Sequence, residues 1–345
     1  MSRSTGHLSL PSRPSGTRGV NECRPAATAD APLQRLIEAG TFRPVFILGQ
    51  HRSGTTLLYR CLEMNGCFNP VTVYHLLRYD ELLANHLNRR EEDAKQELNR
   101  QLESRGVLTR VIDDTPVSAD HPEEYCFFLA TRRGGWTLKP TNRALFDELC
   151  RKVQLIGSPQ CPVLLKNPWD FLNFLYIHEA WPEARFVFIH RHPLDIINSQ
   201  LKALRSSWLE PNAFLELLSA KYAWVQRSPA FRLFVRCALS EREPLHVLRR
   251  YFAHKLNARR NDFRRVIPRL PGDLYTSIRY EELCRDPQGS TGAILKFLGL
   301  QPKKAVDYRA FIQCRPRQLE PDIESVKAGL CRQFQCAVDK DGYEI

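Results

Sequence analysis

Between Gly49 and Gly54 the chain reads Gln50-His51-Arg52-Ser53, and Thr55-Thr56 follow at once. One guanidinium is followed by a hydroxyl, a glycine amide and two more hydroxyl residues. That composition suits the capture of a small oxyanion. The spacing nearly matches the nucleotide pattern G-x-x-x-x-G-K-[ST]. Thr56 stands where the metal-binding hydroxyl would be, but Thr55 occupies the lysine position. A γ-phosphate would lose its point-charge partner there, while the cation sits inside the loop as Arg52. The loop is therefore better suited to a terminal group smaller and less charged than a triphosphate. The competing interpretation is an ordinary strand-to-helix turn capped by Ser53 or Thr55.

A second set of donors lies at Arg191 and Ser199, eight positions apart. Arg191 ends an apolar run and Ser199 falls two turns into the helical pattern that follows. With a rise of about 1.5 Å per residue, both can reach one phosphate lying along the first turns. A planar fork and a single hydroxyl suit a phosphate monoester. Lys166 closes another apolar run, in Lys166-Asn167-Pro168; a lysine snorkelling from a strand end is the alternative there.

Val45–Leu48 is a short, uninterrupted apolar run, as expected of a strand buried on both faces, and Pro162–Lys166 and Ala184–His190 are read as two further, mostly apolar strands. Helical spacing follows each, and Asp273–Ile278 adds a further strand. This alternation predicts an α/β fold with a central parallel sheet, and ligands at the carboxyl ends of its strands. Pro32–Ala39 is expected as a short helix, Tyr74–Leu87 as one continuous helix, and 89–103 as a solvated amphipathic helix. Asp120 and Glu123 have capping-box spacing, so a helix is expected to start there with Pro122 in its first turn and Gly134-Gly135 at its end. Arg279–Leu283 and Pro287–Leu298 complete the pattern as a loop and a helix. Residues 1–31, rich in Ser, Pro, Gly and Arg, are expected to form a disordered tail. Residues 32–345 are expected to form a single domain, in which 71–155 and 205–270 interrupt the alternation as mainly helical covers.

Arg52-Ser53-Gly54-Thr55-Thr56 after an apolar strand resembles the 5′-phosphosulfate loop of the sulfotransferase superfamily, which transfers a sulfuryl group from 3′-phosphoadenosine 5′-phosphosulfate (PAPS) to a hydroxyl or amine. The arginine before Ser-Gly-Thr-Thr is similar to the bacterial and tyrosylprotein branches. The resemblance covers about residues 43–300 and is firm at the nucleotide segments. It implies a P-loop-like three-layer fold and in-line transfer without a metal. Arg52, Ser53, Gly54, Thr55 and Thr56 would hold the 5′ side of the donor, and Arg191 and Ser199 the 3′-phosphate. Lys166 would touch the sulfonate and leaving oxygens, and Tyr280, in Arg279-Tyr280-Glu281-Glu282-Leu283, would lie near the nucleotide. Arg52 and Lys166 would then be catalytic. His192 departs from the family, where an aspartate usually follows the arginine. Two separated anion sites on one sheet are what a 3′,5′-bisphosphorylated nucleotide requires.

A hydroxyl acceptor also needs a base. Related sulfotransferases with this kind of loop carry a glutamate base at about the distance of residues 69–78, and that stretch holds no carboxylate here. His75 is its one side chain titrating near neutral pH and is the first candidate. Glu124, which the capping box does not explain, is the second.

The 345 residues carry 50 Lys and Arg against 38 Asp and Glu, a formal charge of +12, which points to an anionic ligand. A basic nucleic-acid-binding protein is the alternative from another class. However, the sequence has no zinc-finger spacing, RNP-like strand or basic heptads, and its arginines are scattered. A P-loop kinase is the alternative enzyme, and the missing lysine argues against it. The 11 cysteines form no Cys-x-x-Cys, as expected of reduced thiols in a cytosol. No apolar run approaches the ~18 residues of a membrane span, and none follows Met1-Ser2-Arg3, so a cytoplasmic protein is expected. His190 and His192 form a lone His-x-His, too few ligands for a structural metal. The acceptor is expected to be a small molecule, glycan or peptide.

Overall fold

The computed structural model describes residues 28–110, 115–132, 135–209, 212–218, 220–240, 242–312 and 318–338. Five strands form its main sheet: β1 (Pro44–Gly49), β2 (Asn69–Pro70), β3 (Val163–Lys166), β4 (Arg185–His190) and β5 (Tyr275–Arg279). They lie in the order β2-β3-β1-β4-β5, and every pairing is parallel. The register sets Ile47 beside Lys166, Gly49 beside Ile189 and His190 beside Arg279. Neighbouring strands are about 4.8 Å apart, so the loops leaving β3, β1, β4 and β5 emerge side by side along one edge.

The apolar runs are continuous because both sheet faces are covered. Phe46, Leu48, Phe186 and Phe188 point into one core, and Val45, Ile47, Val187 and Ile189 into the other. Helices α1 (Thr55–Glu63), α11 (Tyr280–Arg285) and α12 (Pro287–Phe297) contribute Leu58, Leu62, Leu283, Ile294 and Leu295 to the second core. The first core is built by α2 (Val73–Leu77), α4 (Tyr125–Arg132), α5 (Arg143–Ile156) and α6 (Phe174–Ala180). Each fully buried Val, Leu, Ile or Phe contributes roughly 1.5–3 kcal/mol. This is the expected three-layer α/β arrangement. The amphipathic helix expected at 89–103 is α3 (Glu91–Ser104), which buries Leu98 and Leu102. The described residues of the expected helical cover at 205–270 are mainly helical, in α7 (Pro193–Leu209), α8 (Ala220–Gln226), α9 (Pro229–Ser240) and α10 (Arg242–Val266). Together with α13 (Lys327–Val338), α7 and α10 share a third, smaller core.

Three expectations need correction. The tail falls largely outside the described residues, but its end is ordered. Asp30 is buried, its carboxylate 2.9 Å from Lys152 Nζ, and its Oδ1 accepts from the Ala84 amide at 3.0 Å. The Tyr74–Leu87 helix breaks after Leu77 and resumes at Leu82, where the Tyr79 carbonyl turns out to accept from Lys152 Nζ at 3.0 Å. No helix starts at Asp120 either. The backbone of Val71–Tyr74 bonds that of Ala119–Glu123, and Pro122 forms an isolated antiparallel bridge with Thr72, so a turn and this single bridge precede the helix, which starts only at Tyr125. Asp120 pairs with Lys95 instead, at 2.9 Å. Of the expected glycine stop, Gly134 lies outside the described residues.

Candidate active site

The loop after β1 turns through a Ser53 amide bonded to the Gln50 carbonyl at 2.9 Å. Arg52 (φ 71°) and Gly54 (φ 100°) both take left-handed backbone, a conformation that turns successive amides toward one concavity. For arginine it is costly and persists where the surroundings impose it. A side chain at Gly49 would run into Ser53 Oγ and the Ile189 carbonyl. One at Gly54 would run into the Tyr280 ring. Helix α1 then begins at Thr55 with its N-terminus facing the loop.

The second motif meets this loop directly. Arg52 Nε donates to Ser199 Oγ at 2.9 Å, and Arg191 Nη1 donates to the Arg52 carbonyl at 3.2 Å. The Arg191 guanidinium sits 4.2 Å over the Tyr280 ring, and Tyr280 in turn covers Gly54. Burial pushes the Tyr280 hydroxyl up to about 12, although Arg191 opposes the shift. His192 is buried and caps α7: its Nδ1 accepts from the Leu194 amide at 3.2 Å, and its own amide donates to Glu281 at 2.9 Å. The residue where the family usually has aspartate thus shapes the helix start, and Arg191 keeps its donors. His190 is walled by Phe263 and Phe171, and burial lowers it to about 4.

Lys166 reaches the loop from β3. Its fully buried Nζ donates to Thr56 Oγ1 at 3.1 Å and lies 3.2 Å from Glu124 Oε1. Glu124 arrives there because Tyr125 is anchored. The Tyr125 hydroxyl donates to Asp170 Oδ2 at 2.7 Å, four residues beyond Lys166. Buried Asp170 also accepts from Asn167 (2.8 Å), Asn173 (2.7 Å) and the Leu138 amide (3.1 Å). Burial raises its pKa while these donors oppose the rise. Asp170→Asn turns one acceptor into a donor facing donors and is expected to cost about 1–3 kcal/mol. Urea unfolding measures this, and an unchanged midpoint would contradict the role of Asp170 as the tie between α4 and β3.

All the expected nucleotide residues therefore converge, and Glu124 joins them. His75 does not. Its Nδ1 accepts from the Thr72 amide at 3.0 Å, capping α2 beside Lys95, Glu91 and Asp120, and burial lowers it to about 3. It borders a separate cavity of about 260 Å³. Glu123 is not the partner of Asp120; it is buried, and its Oε1 accepts from the Glu124 amide at 2.8 Å.

Sequence reasoning overlooked His51, Trp169 and Trp136. His51 stands in the loop itself, with its ring 4.3 Å from that of Trp169. Burial lowers it to about 4, opposed by Glu124 and reinforced by Arg259, Arg52 and Lys166. Trp169 lies 5.7 Å from Trp136, and buried Asn167 holds both, accepting from the Trp169 amide at 3.1 Å and donating to the Trp136 carbonyl at 2.8 Å. The usable signal was adjacency: Trp169 directly follows Lys166-Asn167-Pro168, and it is 42% exposed although its backbone is tied to a buried network.

Ser53 Oγ, His51 Nε2 and Arg191 Nε are buried and lack hydrogen-bond partners among the described residues. Buried polar atoms are almost always paired. Three orphans around one cationic loop, spaced across two motifs, fit an elongated anionic ligand.

Comparison with known proteins agrees with this geometry. The profile of the Sulfotransferase family matches residues 44–218, half of the chain, and spans the loop, Glu124, Lys166, Arg191 and Ser199. The chain belongs to the sulfotransferase family. It is a transferase of sulfuryl groups. Sulfotransferase STF9 from Mycobacterium avium superposes with a TM-score of 0.61 at 16% identity, over 92% of this chain and 82% of that one. Sulfotransferase STF1 from Mycobacterium tuberculosis H37Rv gives 0.50 at 14%, over 89% and 80%. At these identities the likeness establishes the fold alone. No curated protein matches the chain.

Proposed function

We propose that this sulfotransferase takes PAPS as its donor and sulfates a hydroxyl or amine on a small molecule, glycan or peptide. The observation that carries this reading is the convergence of Arg52, Arg191, Ser199 and Tyr280 around buried, unpartnered Ser53 Oγ and Arg191 Nε. The donor supplies an activated sulfonate on a 5′-phosphate. Ser53, Thr55, Thr56 and the loop amides hold that end, while Arg191 and Ser199 hold the 3′-phosphate. Arg52 spans the two, with its Nε on Ser199. Lys166, already against Thr56, stabilises the sulfonate and leaving oxygens. Glu124 takes the acceptor proton as the acceptor oxygen bonds sulfur and the bond from sulfur to the 5′-phosphate oxygen breaks. The geometry thus favours Glu124 over His75 as the base. Residues 71–155 and 205–270 cover the acceptor side of a single domain. The described free thiols, Cys61, Cys67, Cys126, Cys150 and Cys161 among them, support a cytoplasmic setting. The described residues contain no helix long and apolar enough to cross a membrane.

Incubation with radiolabelled PAPS and a metabolite extract tests the reading, and a labelled acceptor is the expected result. Failure to label, with no response to adenosine 3′,5′-bisphosphate, would refute it. The bisphosphate is expected to raise the melting temperature far more than ATP does. Arg191→Ala loses a charge-assisted contact of about 1.5–3 kcal/mol, a drop of roughly ten- to a hundredfold in bisphosphate affinity. Equal affinity of variant and wild type by calorimetry would remove Arg191 from the site. Turnover is expected to survive EDTA, because Arg52 and Lys166 supply two cations to a group less charged than a γ-phosphate. Loss of activity that magnesium restores would point to a kinase instead.

A further inference from the structure

Helices α9 and α10 pack on each other, and both pack on α7. Their inward faces are apolar, as expected. Phe231 of α9 packs edge-on to Trp208 at 5.3 Å, and Ala253 and Leu256 of α10 enter the third core. Their outward faces are apolar too. On α9, Ala230, Leu233, Phe234 and Cys237 follow at steps of three and four and are all exposed, Leu233 at 64% and Phe234 at 67%. On α10, Val247 (70%) and Tyr251 share one exposed side. Because both helices turn their other face to α7, these stripes lie side by side. Trp224, on the adjoining α8, is 74% exposed. Monomers rarely display large apolar residues so densely without using them.

The rim of this surface is cationic. Arg227, Arg232, Arg250 and Lys255 are exposed, and Lys255 Nζ lies 4.9 Å over the Tyr251 ring. From 222 to 255 the sequence carries seven Arg and Lys against two acids, Glu241 and Glu243. Like charges would oppose a second copy docking face to face. A bilayer surface with anionic headgroups satisfies both features at once: the aliphatic and aromatic side chains enter the headgroup–acyl boundary, and the basic rim meets the phosphates. We propose that the outward face of α9 and α10, with Trp224, docks this enzyme on an anionic lipid surface. The helices would lie on the membrane and not cross it.

Co-sedimentation of the full chain with vesicles tests the proposal. Binding is expected to phosphatidylcholine vesicles containing phosphatidylglycerol and not to pure phosphatidylcholine, and raised salt should weaken it. The double variant Leu233→Ser/Phe234→Ser is expected to lose at least about tenfold in partitioning with its melting temperature unchanged. The variant Arg232→Glu/Arg250→Glu alters no packed residue and should abolish the preference for the anionic vesicles. The proposal is overturned if wild type ignores the anionic vesicles or if both variants bind as wild type does. It is equally overturned if light scattering shows a wild-type dimer that the serine variant converts to monomer.

Discussion

Glu124→Gln is expected to lower kcat by about 10²–10⁴-fold while leaving bisphosphate affinity near that of wild type. Glutamine keeps the size of the side chain and an oxygen for Lys166 Nζ, which lies 3.2 Å from Glu124 Oε1. What it loses is the ability to take a proton. Rate and affinity should therefore separate, whereas a general loosening of the site would move both. The contrast is His75→Ala. His75 is a cap on α2, so its removal should cost about 1 kcal/mol of stability and little rate. Steady-state kinetics on both variants decide the matter. Near-normal turnover in Glu124→Gln would exclude it as the base. A collapse of kcat in a folded His75→Ala would reinstate His75.

Arg52→Ala is expected to cost at least about 10²-fold in kcat, comparable to removing an oxyanion-hole donor. Arg52 is the one guanidinium inside the loop. It also joins the two anion sites, because its Nε donates to Ser199 and its carbonyl accepts from Arg191. Alanine removes the charge and the Ser199 contact together, so bisphosphate affinity should fall as well, though by less than the rate. Arg52→Lys retains the charge without the fork and should recover only part of the loss. A variant with unchanged kcat would mean that Arg52 serves the fold alone, and that Lys166 with the loop amides carries the charge of the transferred group.

Much of this was legible before any tertiary contact was known. Val45–Leu48 is an unbroken apolar run, as a strand covered on both faces has, and Gly49 to Thr56 is a local strand–loop–helix pattern legible from its two glycines and the hydroxyl residues beside them. Arg191 and Ser199 were readable for the same reason, as a strand end and a helix face. Where the reading failed, a distant partner had intervened. The capping-box spacing of Asp120 and Glu123 is a valid local signal, but the Val71–Tyr74 backbone claimed that stretch first. The continuous helix over 74–87 yielded to Lys152, which captures the Tyr79 carbonyl from 73 positions away.

The base shows the same division. Sequence by itself determined which strand ends carry the cluster of cations and hydroxyls, and it pointed to the covering region as the source of a proton acceptor. Distance along the chain favoured His75. Only the tertiary structure brings the other candidate to the site, because the Tyr125–Asp170 bond draws α4 onto the end of β3 and delivers Glu124 to Lys166, while His75 is buried, its pKa lowered by desolvation, and turned to the backbone. Local propensity is written in neighbouring residues. Which buried charge finds which partner depends on how the layers pack, and no spacing within one segment encodes that.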